Sequence, residues 1–356
     1  MNELTNILAE TAERLLADHV GRELLEAAEA GTFPEALWET LEENGLTQPL
    51  VPEDLGGIGA TWADAFVIAY AAGRHRAPVP LVETMAAGWL LSAAGLDVPE
   101  GAISLVDGHA LSESGGAVNG AATAAPWGAV AGHALAVLPD GTAWRAVLMG
   151  RDGADISEDR NVAREPRDSL AFSGAAPAAS GKLPFEAGND AVSPACLAGA
   201  AMRSAQMAGA MAQTIELAVE HATTRQQFGR PIAKFQALQQ IMAEAAARTA
   251  EARMAAEVAF RALDGIGDAG NLALAEDTVA SAKIVCGEAA ERVTDVVHEV
   301  HGAIGFTEEH ELHFLTRRLW SWRGEFGNAG TWAERLGLRV LGRGAANLWP
   351  DVTARL

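Results

Sequence analysis

Thr224-Arg225-Gln226-Gln227-Phe228-Gly229-Arg230-Pro231-Ile232-Ala233-Lys234-Phe235-Gln236-Ala237-Leu238-Gln239 is the stretch on which the reading of this chain turns. A helix ends, a Gly-Arg-Pro turn breaks the period, and a new helix starts. Arg225, Arg230 and Lys234 gather around the turn in a chain that is otherwise acidic. A helix amino terminus beside cations is a ready anion site. The same cations could instead cap neighbouring helices or pair with surface carboxylates. On the residues alone the two readings weigh equally.

On either side the texture is helical. Residues 196–223 read as one long helix and 234–263 as another, the second with Leu238, Ile241, Met242, Ala245 and Ala246 on one stripe. Gly265-Ile266-Gly267-Asp268-Ala269-Gly270 turns the chain, and further helices are expected over 273–300 and 309–322. Long helices joined by short turns predict a four-helix bundle. Between the last two lies a second distinctive stretch, His301-Gly302-Ala303-Ile304-Gly305-Phe306-Thr307-Glu308-Glu309-His310-Glu311-Leu312-His313. Its glycines permit close backbone approach, and Thr307 with the acidic pair suits a helix start.

Towards the amino terminus, helical spacing also runs from Glu3 to about Leu96, interrupted at Asn44-Gly45-Leu46 through Gly56-Gly57-Ile58-Gly59 and at Ala77-Pro78-Val79-Pro80. From about 101 to 190 the period disappears and Gly, Ser, Pro and short apolar runs take over, predicting a small β domain. Ala134 to Leu138 and Trp144 to Met149 form a hairpin about a Pro139-Asp140-Gly141 turn in this reading. The expected domains are 1–100 (helical), 101–190 (β) and 191–356 (bundle).

The chain has 356 residues, 49% of them hydrophobic, and 47 acidic against 26 basic side chains, a formal net charge of −21. At roughly 100–200 residues per domain, two or three domains follow, and disorder is excluded. Such an excess of negative charge opposes nonspecific nucleic-acid binding and attachment to an anionic membrane. Two cysteines, Cys196 and Cys286, make no disulfide scaffold and suit a reducing compartment as small buried apolar residues. Glu3, Glu10 and Glu13 break the first apolar run, so it does not read as a signal peptide, and no stretch reads as membrane-inserted; a cytoplasmic location is expected. His298, His301, His310 and His313 form two His-x-x-His pairs with no cysteine nearby, and no metal is expected there. Trp320, Trp322 and Trp332 read as core or interface residues.

Taken together and about 70 residues apart, the two distinctive stretches resemble the acyl-CoA dehydrogenase family, over nearly the whole chain. Arg225-Gln226-Gln227-Phe228-Gly229 with Phe235-Gln236 looks like its flavin-contact segment, 301–313 like its C-terminal glycine turn, and Gly45-Leu46 through Gly59 like its N-terminal signature. The resemblance implies a mainly α protein with a small β domain: an N-terminal helical domain, a middle β-barrel-like domain and a C-terminal four-helix bundle. It implies FAD as cofactor and α,β-dehydrogenation of an acyl-CoA thioester, in which a glutamate takes the α proton and the β carbon gives hydride to the flavin, with electrons passing to an electron-transfer flavoprotein. Arg225, Phe228 and Gln236 would contact FAD bound mainly by a neighbouring subunit, and Gly302 and Gly305 would approach its adenosine-diphosphate portion.

Departures from the family pattern set the expected role. Glu299 stands where Gln is usual, and Ala303 where a glycine is. No stretch resembles the family's Thr-Glu-Pro/Ala-Gly-Ser-Asp passage or its Trp-Ile-Thr strand; Ala124-Ala125-Pro126-Trp127-Gly128-Ala129 stands instead. One family location for the base holds Gln227, which cannot accept a proton usefully. The other falls on Phe326 when counted from Arg317, so Glu325 serves as base only if the loop shifts by one residue; its bland alternative is a solvated carboxylate, paired for instance with Arg323. Leu319 to Gly327 looks like the shorter subunits of heteromeric, two-gene acyl-CoA dehydrogenases, which act in bacterial degradation of sterol side chains and other bulky acids. The leading expectation is a subunit that completes a partner's FAD site in a heterotetramer. Two others stand beside it: a self-sufficient homo-oligomer using Glu325, and a structural subunit without flavin.

Overall fold

In the computed structural model, which describes residues 2–186, 191–266 and 272–353, the chain opens with five helices: α1 (Glu3–His19), α2 (Arg22–Ala30), α3 (Glu35–Glu43), α4 (Trp62–Arg74) and α5 (Leu81–Ala93). The loops at 44–61 and 75–80 fall where Gly and Pro break the pattern. Thr61 and Asp64 form a reciprocal capping box at the start of α4. A second carboxylate, Asp264, accepts hydrogen bonds from the backbone N–H groups of Trp62 and Ala63, at 2.5 and 2.9 Å. It ties the end of a bundle helix to the first turn of α4.

Eight strands follow: β1 (Ile103–Val106), β2 (Leu111–Ser114), β3 (Ala117–Pro126), β4 (His133–Asp140), β5 (Ala143–Gly150), β6 (Ala154–Ser157), β7 (Arg167–Ala175) and β8 (Ala179–Glu186). They form two four-stranded sheets, ordered β1-β4-β5-β8 and β2-β3-β7-β6, with β1 and β4 parallel and the other pairs antiparallel. Alternation along β4 divides two cores. Ala134, Ala136 and Leu138 face the second sheet with Val118, Leu170 and Phe172, whereas Leu135 and Val137 belong to the main core with the helices. The expected β4–β5 hairpin is present, but the ladder continues through Asp140 opposite Ala143, so Gly141 and Thr142 form the tip. Gly141 takes the positive φ of 66° that the tight reversal needs.

The rest is helical: α6 (Pro194–Thr224), α7 (Gln236–Asp264), α8 (Ala273–His301), α9 (Leu312–Trp322), α10 (Ala329–Arg343) and α11 (Ala345–Thr353). The first four correspond to the expected bundle, with α9 starting later because 302–306 form a 3-10 turn. Helices α10 and α11 were outside the expected four. Arg335, Arg339 and Arg343 pin α10 to buried Glu276 and Asp277 of α8, so a helix with only one buried residue is held by charge. Part of the expected 265–270 turn lies outside the described residues.

Helix α6 is buried on every side over most of its first half because α4, α5, α7, α8 and α9 all pack on it. Its crossing with α4 is glycine-limited: a Cβ on Gly73 would lie 2.0 Å from the Gln206 carbonyl oxygen, and one on Gly209 would lie 2.0 Å from that of Tyr70. Backbone cannot yield as a flexible side chain can. Gly73→Ala is therefore expected to cost about 2–3 kcal/mol or more, read as a lower midpoint in denaturant unfolding; an unchanged midpoint would refute the close crossing.

Candidate functional site

The two distinctive stretches fold as connections at one end of the bundle. Between α6 and α7, Gln226 and Gln227 pair with Pro231 and Arg230 in a miniature ladder, and Phe228 and Gly229 form its tip. Phe228 adopts φ of 51° and is 89% exposed, an unusual state for a large aromatic side chain in a left-handed conformation. The Arg230 guanidinium lies over the Phe235 ring at 4.2 Å, and Phe228 meets that ring edge-on at 6.0 Å. Arg225 is the C-cap of α6 and is exposed; Gln236 is exposed as the first residue of α7. Thus Arg225, Phe228 and Gln236 all face outward.

Between α8 and α9, Gly302 takes φ of 62° and opens the 3-10 turn Gly302–Phe306. A Cβ on Gly302 would meet nothing, so its open face can admit another molecule. Gly305 is buried, where a Cβ would lie 2.9 Å from that of His301. Phe306 and Ile304 are exposed. His221 near the end of α6 stacks on His301 at the end of α8, ring centroids 4.7 Å apart, and so brings the two connections to the same end of the bundle. Glu299, Ala303 and Gln227 are exposed there too.

Glu325 lies elsewhere, in the loop after α9, and its carboxylate is fully engaged. Oε1 accepts from Arg167 Nε at 2.8 Å and Asn161 Nδ2 at 3.2 Å; Oε2 accepts from Arg203 Nε at 2.7 Å and a terminal Arg167 nitrogen at 3.0 Å. Burial raises its pKa, but the Arg167 and Arg203 charges outweigh that and hold it at about 2. The expected Arg323 pairing is absent, since Arg323 binds Glu291 instead. The lattice continues inward: Arg203 pairs with Glu83 of α5, Arg167 with Glu165 at 3.0 Å, and Glu165 with Arg318 of α9 at 3.1 Å and with the Trp322 indole N–H at 3.0 Å. Glu83, Glu165, Arg203 and Arg318 are each at most 3% exposed. Lys283 of α8, wholly buried, donates to the Trp322 and Arg323 carbonyls at 2.9 and 3.0 Å and so caps α9. Burial lowers its pKa to about 8.

Of these buried partners only Trp322 was singled out from the sequence, as a core or interface residue; the charged ones were not. A signal was available: Arg203 and Lys283 are isolated cations within apolar helical runs, where a charge requires a partner.

Beside the clamp is a cavity of about 500 Å³ between the β domain and the start of α6, lined by Asp107, His109, Cys196, Glu325 and Phe326 among others. Phe326 takes φ of 53° and lays its ring directly against Gly199, where even a Cβ would be 2.4 Å away. Burial raises the Cys196 thiol to about 12, leaving it unreactive. The lining has two carboxylates and no Lys or Arg, a poor match for a flavin pyrophosphate. The exposed α6–α7 hairpin, by contrast, carries cations and an aromatic ring, a chemistry that suits an anionic ligand with flat rings. Among the described residues no three His, Cys, Asp or Glu side chains converge as metal ligands, and no helix is long and apolar enough to cross a membrane.

Comparison with known proteins bears on this arrangement. The family models "Acyl-CoA dehydrogenase, N-terminal domain" and "Acyl-CoA dehydrogenase, C-terminal domain" match residues 2–97 and 187–328. Acyl-CoA dehydrogenase IpdE2 of Mycobacterium tuberculosis is 28% identical over 321 residues, spanning 89% of this chain and 91% of that protein. Among solved structures, the ChsE4-ChsE5 complex from Mycobacterium tuberculosis superposes with a TM-score of 0.83 at 22% identity, covering 95% of this chain and 97% of the other. The FAD complex of PigA superposes at 0.79 and 17% identity, covering 96% and 99%.

Proposed function

The chain belongs to the acyl-CoA dehydrogenase family of oxidoreductases acting on CH–CH groups, with FAD as the family's cofactor, and from that premise we propose that it is one of two unlike subunits. It completes an FAD site whose isoalloxazine seat and catalytic base belong to its partner. The observation that carries this reading is the clamp on Glu325: a carboxylate paired on both oxygens with two guanidinium groups is a very weak proton acceptor at neutral pH. The acidic cavity lining and the outward-facing Phe228 hairpin support it.

When bound, FAD supplies the hydride acceptor for α,β-dehydrogenation of an acyl-CoA thioester. This chain's part is binding and positioning. Arg225 offers a guanidinium to phosphate oxygens, Phe228 a ring face that excludes water, Gln236 a side-chain amide at a helix start, and Gly302 an unobstructed backbone. Gly305 acts indirectly, by letting the turn pack against His301. Electron-transfer flavoprotein is the acceptor in this reading, and a heterotetramer the assembly.

Purification of the chain alone and after co-expression with its neighbouring dehydrogenase chain tests the proposal. The chain alone should be colourless and inactive, and the co-purified complex should carry flavin absorbance and dehydrogenate acyl-CoA. A yellow, active protein made from this chain alone would refute it in favour of a self-sufficient homo-oligomer. A complex without flavin would leave a structural role.

A further inference from the structure

Five histidines collect where α6, α8 and α9 meet, and flavin contact uses none of them. His301 is 5% exposed and lies between His221, at 4.7 Å, and His310, at 4.5 Å between ring centroids. His298 stacks on Phe306 at 4.4 Å, and His313 Nδ1 faces an Arg317 guanidinium nitrogen at 3.0 Å.

The hydrogen bonds assign the protons. His301 Nδ1 donates to the Val297 carbonyl at 2.6 Å, leaving its buried Nε2 a bare acceptor with no partner. His310 Nδ1 accepts from the backbone N–H of Leu312 at 3.1 Å, in the first turn of α9. We propose that the His221–His301–His310 stack is a proton-sensitive latch, holding residues 302–311 against the bundle while neutral and releasing them when it takes up protons.

Protonation breaks the latch at two points. A proton on His310 Nδ1 replaces an acceptor by a donor facing another donor, and places positive charge at a helix amino terminus. A proton on His301 Nε2 puts charge in a buried position between two imidazoles. The surrounding charges work in both directions. Arg225 at the end of α6 opposes charge on His221, and Arg317 of α9 opposes it on His313. Asp295 of α8 favours charge on His298, Glu29 of α2 and Glu308 favour it on His313, and Glu311 favours it on His310. Glu311 is itself paired with Arg76 from the loop before α5. Burial is the leading influence on all five rings, and all five sit below the ordinary imidazole value. A depressed folded pKa means that protons favour the opened state. The latch is complete above about pH 6.5 and weakens as pH falls below that.

Besides the latch, the segment is held by the Arg76–Glu311 ion pair at 2.9 Å, by Phe306 stacked on His298 and by Arg164, 4.0 Å from the Glu308 carboxylate. Arg22 of α2 donates to the Glu309 and Glu308 carbonyls at 2.8 and 2.6 Å, but from an exposed position. The inference is independent of the flavin reading, because its readout needs no cofactor.

Hydrogen–deuterium exchange of the full chain, corrected for intrinsic exchange, tests it at about pH 7.5 and about pH 5.5. Opening of 302–311 should rise at least about tenfold at the lower pH while 197–211 in α6 stays protected. The double variant His301→Asn/His310→Asn should lose most of that rise. His310→Asn alone, which retains an acceptor near Leu312 N–H, should reduce it. Equal protection at both pH values, an undiminished rise in the variants, or simultaneous loss of protection in α6 would each overturn the latch.

Discussion

Glu325→Gln should lower the stability of the chain by about 3–5 kcal/mol, the usual consequence of removing one member of a buried ion pair. The amide keeps the shape but withdraws the negative charge from between Arg167 and Arg203, two guanidinium groups that are 6% and 1% exposed. The pKa gives a consistent magnitude. Displacement from 4.5 to about 2 corresponds to about 3 kcal/mol of preference for the ionised form in the folded state. With a depressed folded pKa, this stabilisation is present above the ordinary carboxylate range and disappears as pH falls towards about 2. Denaturant unfolding of wild type and variant at neutral pH measures the loss. A catalytic base predicts the opposite pattern: intact stability and abolished turnover. Arg203→Met, which strands Glu83 and leaves Glu325 with Arg167 as its one remaining guanidinium partner, should destabilise at least as much, and the double variant should be less damaged than the sum, because the two residues share one interaction.

Arg225→Ala and Phe228→Ala should each weaken FAD retention by the assembled complex by about 10–100-fold. A hydrogen bond to a charged group contributes about 1.5–3 kcal/mol, and an aromatic face loses a comparable amount when its contact is removed. Both side chains are exposed in the isolated chain, so neither change should move its unfolding midpoint. That separation is the useful control. Reduced flavin occupancy after dialysis at unchanged stability supports contact across the subunit boundary; full occupancy in both variants would remove the hairpin from the flavin site.

Local chemistry made much of this chain readable. Proline and glycine at 229–231 had to end one helix and begin another, and apolar spacing of about 3.6 residues had to produce long helices on both sides. The β4–β5 hairpin was legible except for its tip, because Pro139 and Asp140 look like turn residues and only the ladder shows them still paired. Helix α10 was hidden for a related reason: its stability comes from three arginines meeting Glu276 and Asp277, roughly sixty residues away.

The site divides along the same line. The sequence by itself determined that cations and an aromatic ring sit at a helix-to-helix turn, and that a glycine turn follows later in the chain, since both depend on neighbours in sequence. It left Glu325 as a base or a solvated carboxylate, and the fold overturns the second, since the carboxylate is only 17% exposed and is clamped between Arg167 and Arg203. Only the tertiary structure could decide what that carboxylate touches. Residues 83, 165, 167, 203, 318 and 325 come from both helical regions and the β domain. The protonation of a carboxyl group is governed by charges within a few ångströms, whatever their separation along the chain. Helices and turns are fixed by residues a few positions apart; proton affinity is fixed by whichever distant residues the fold brings alongside.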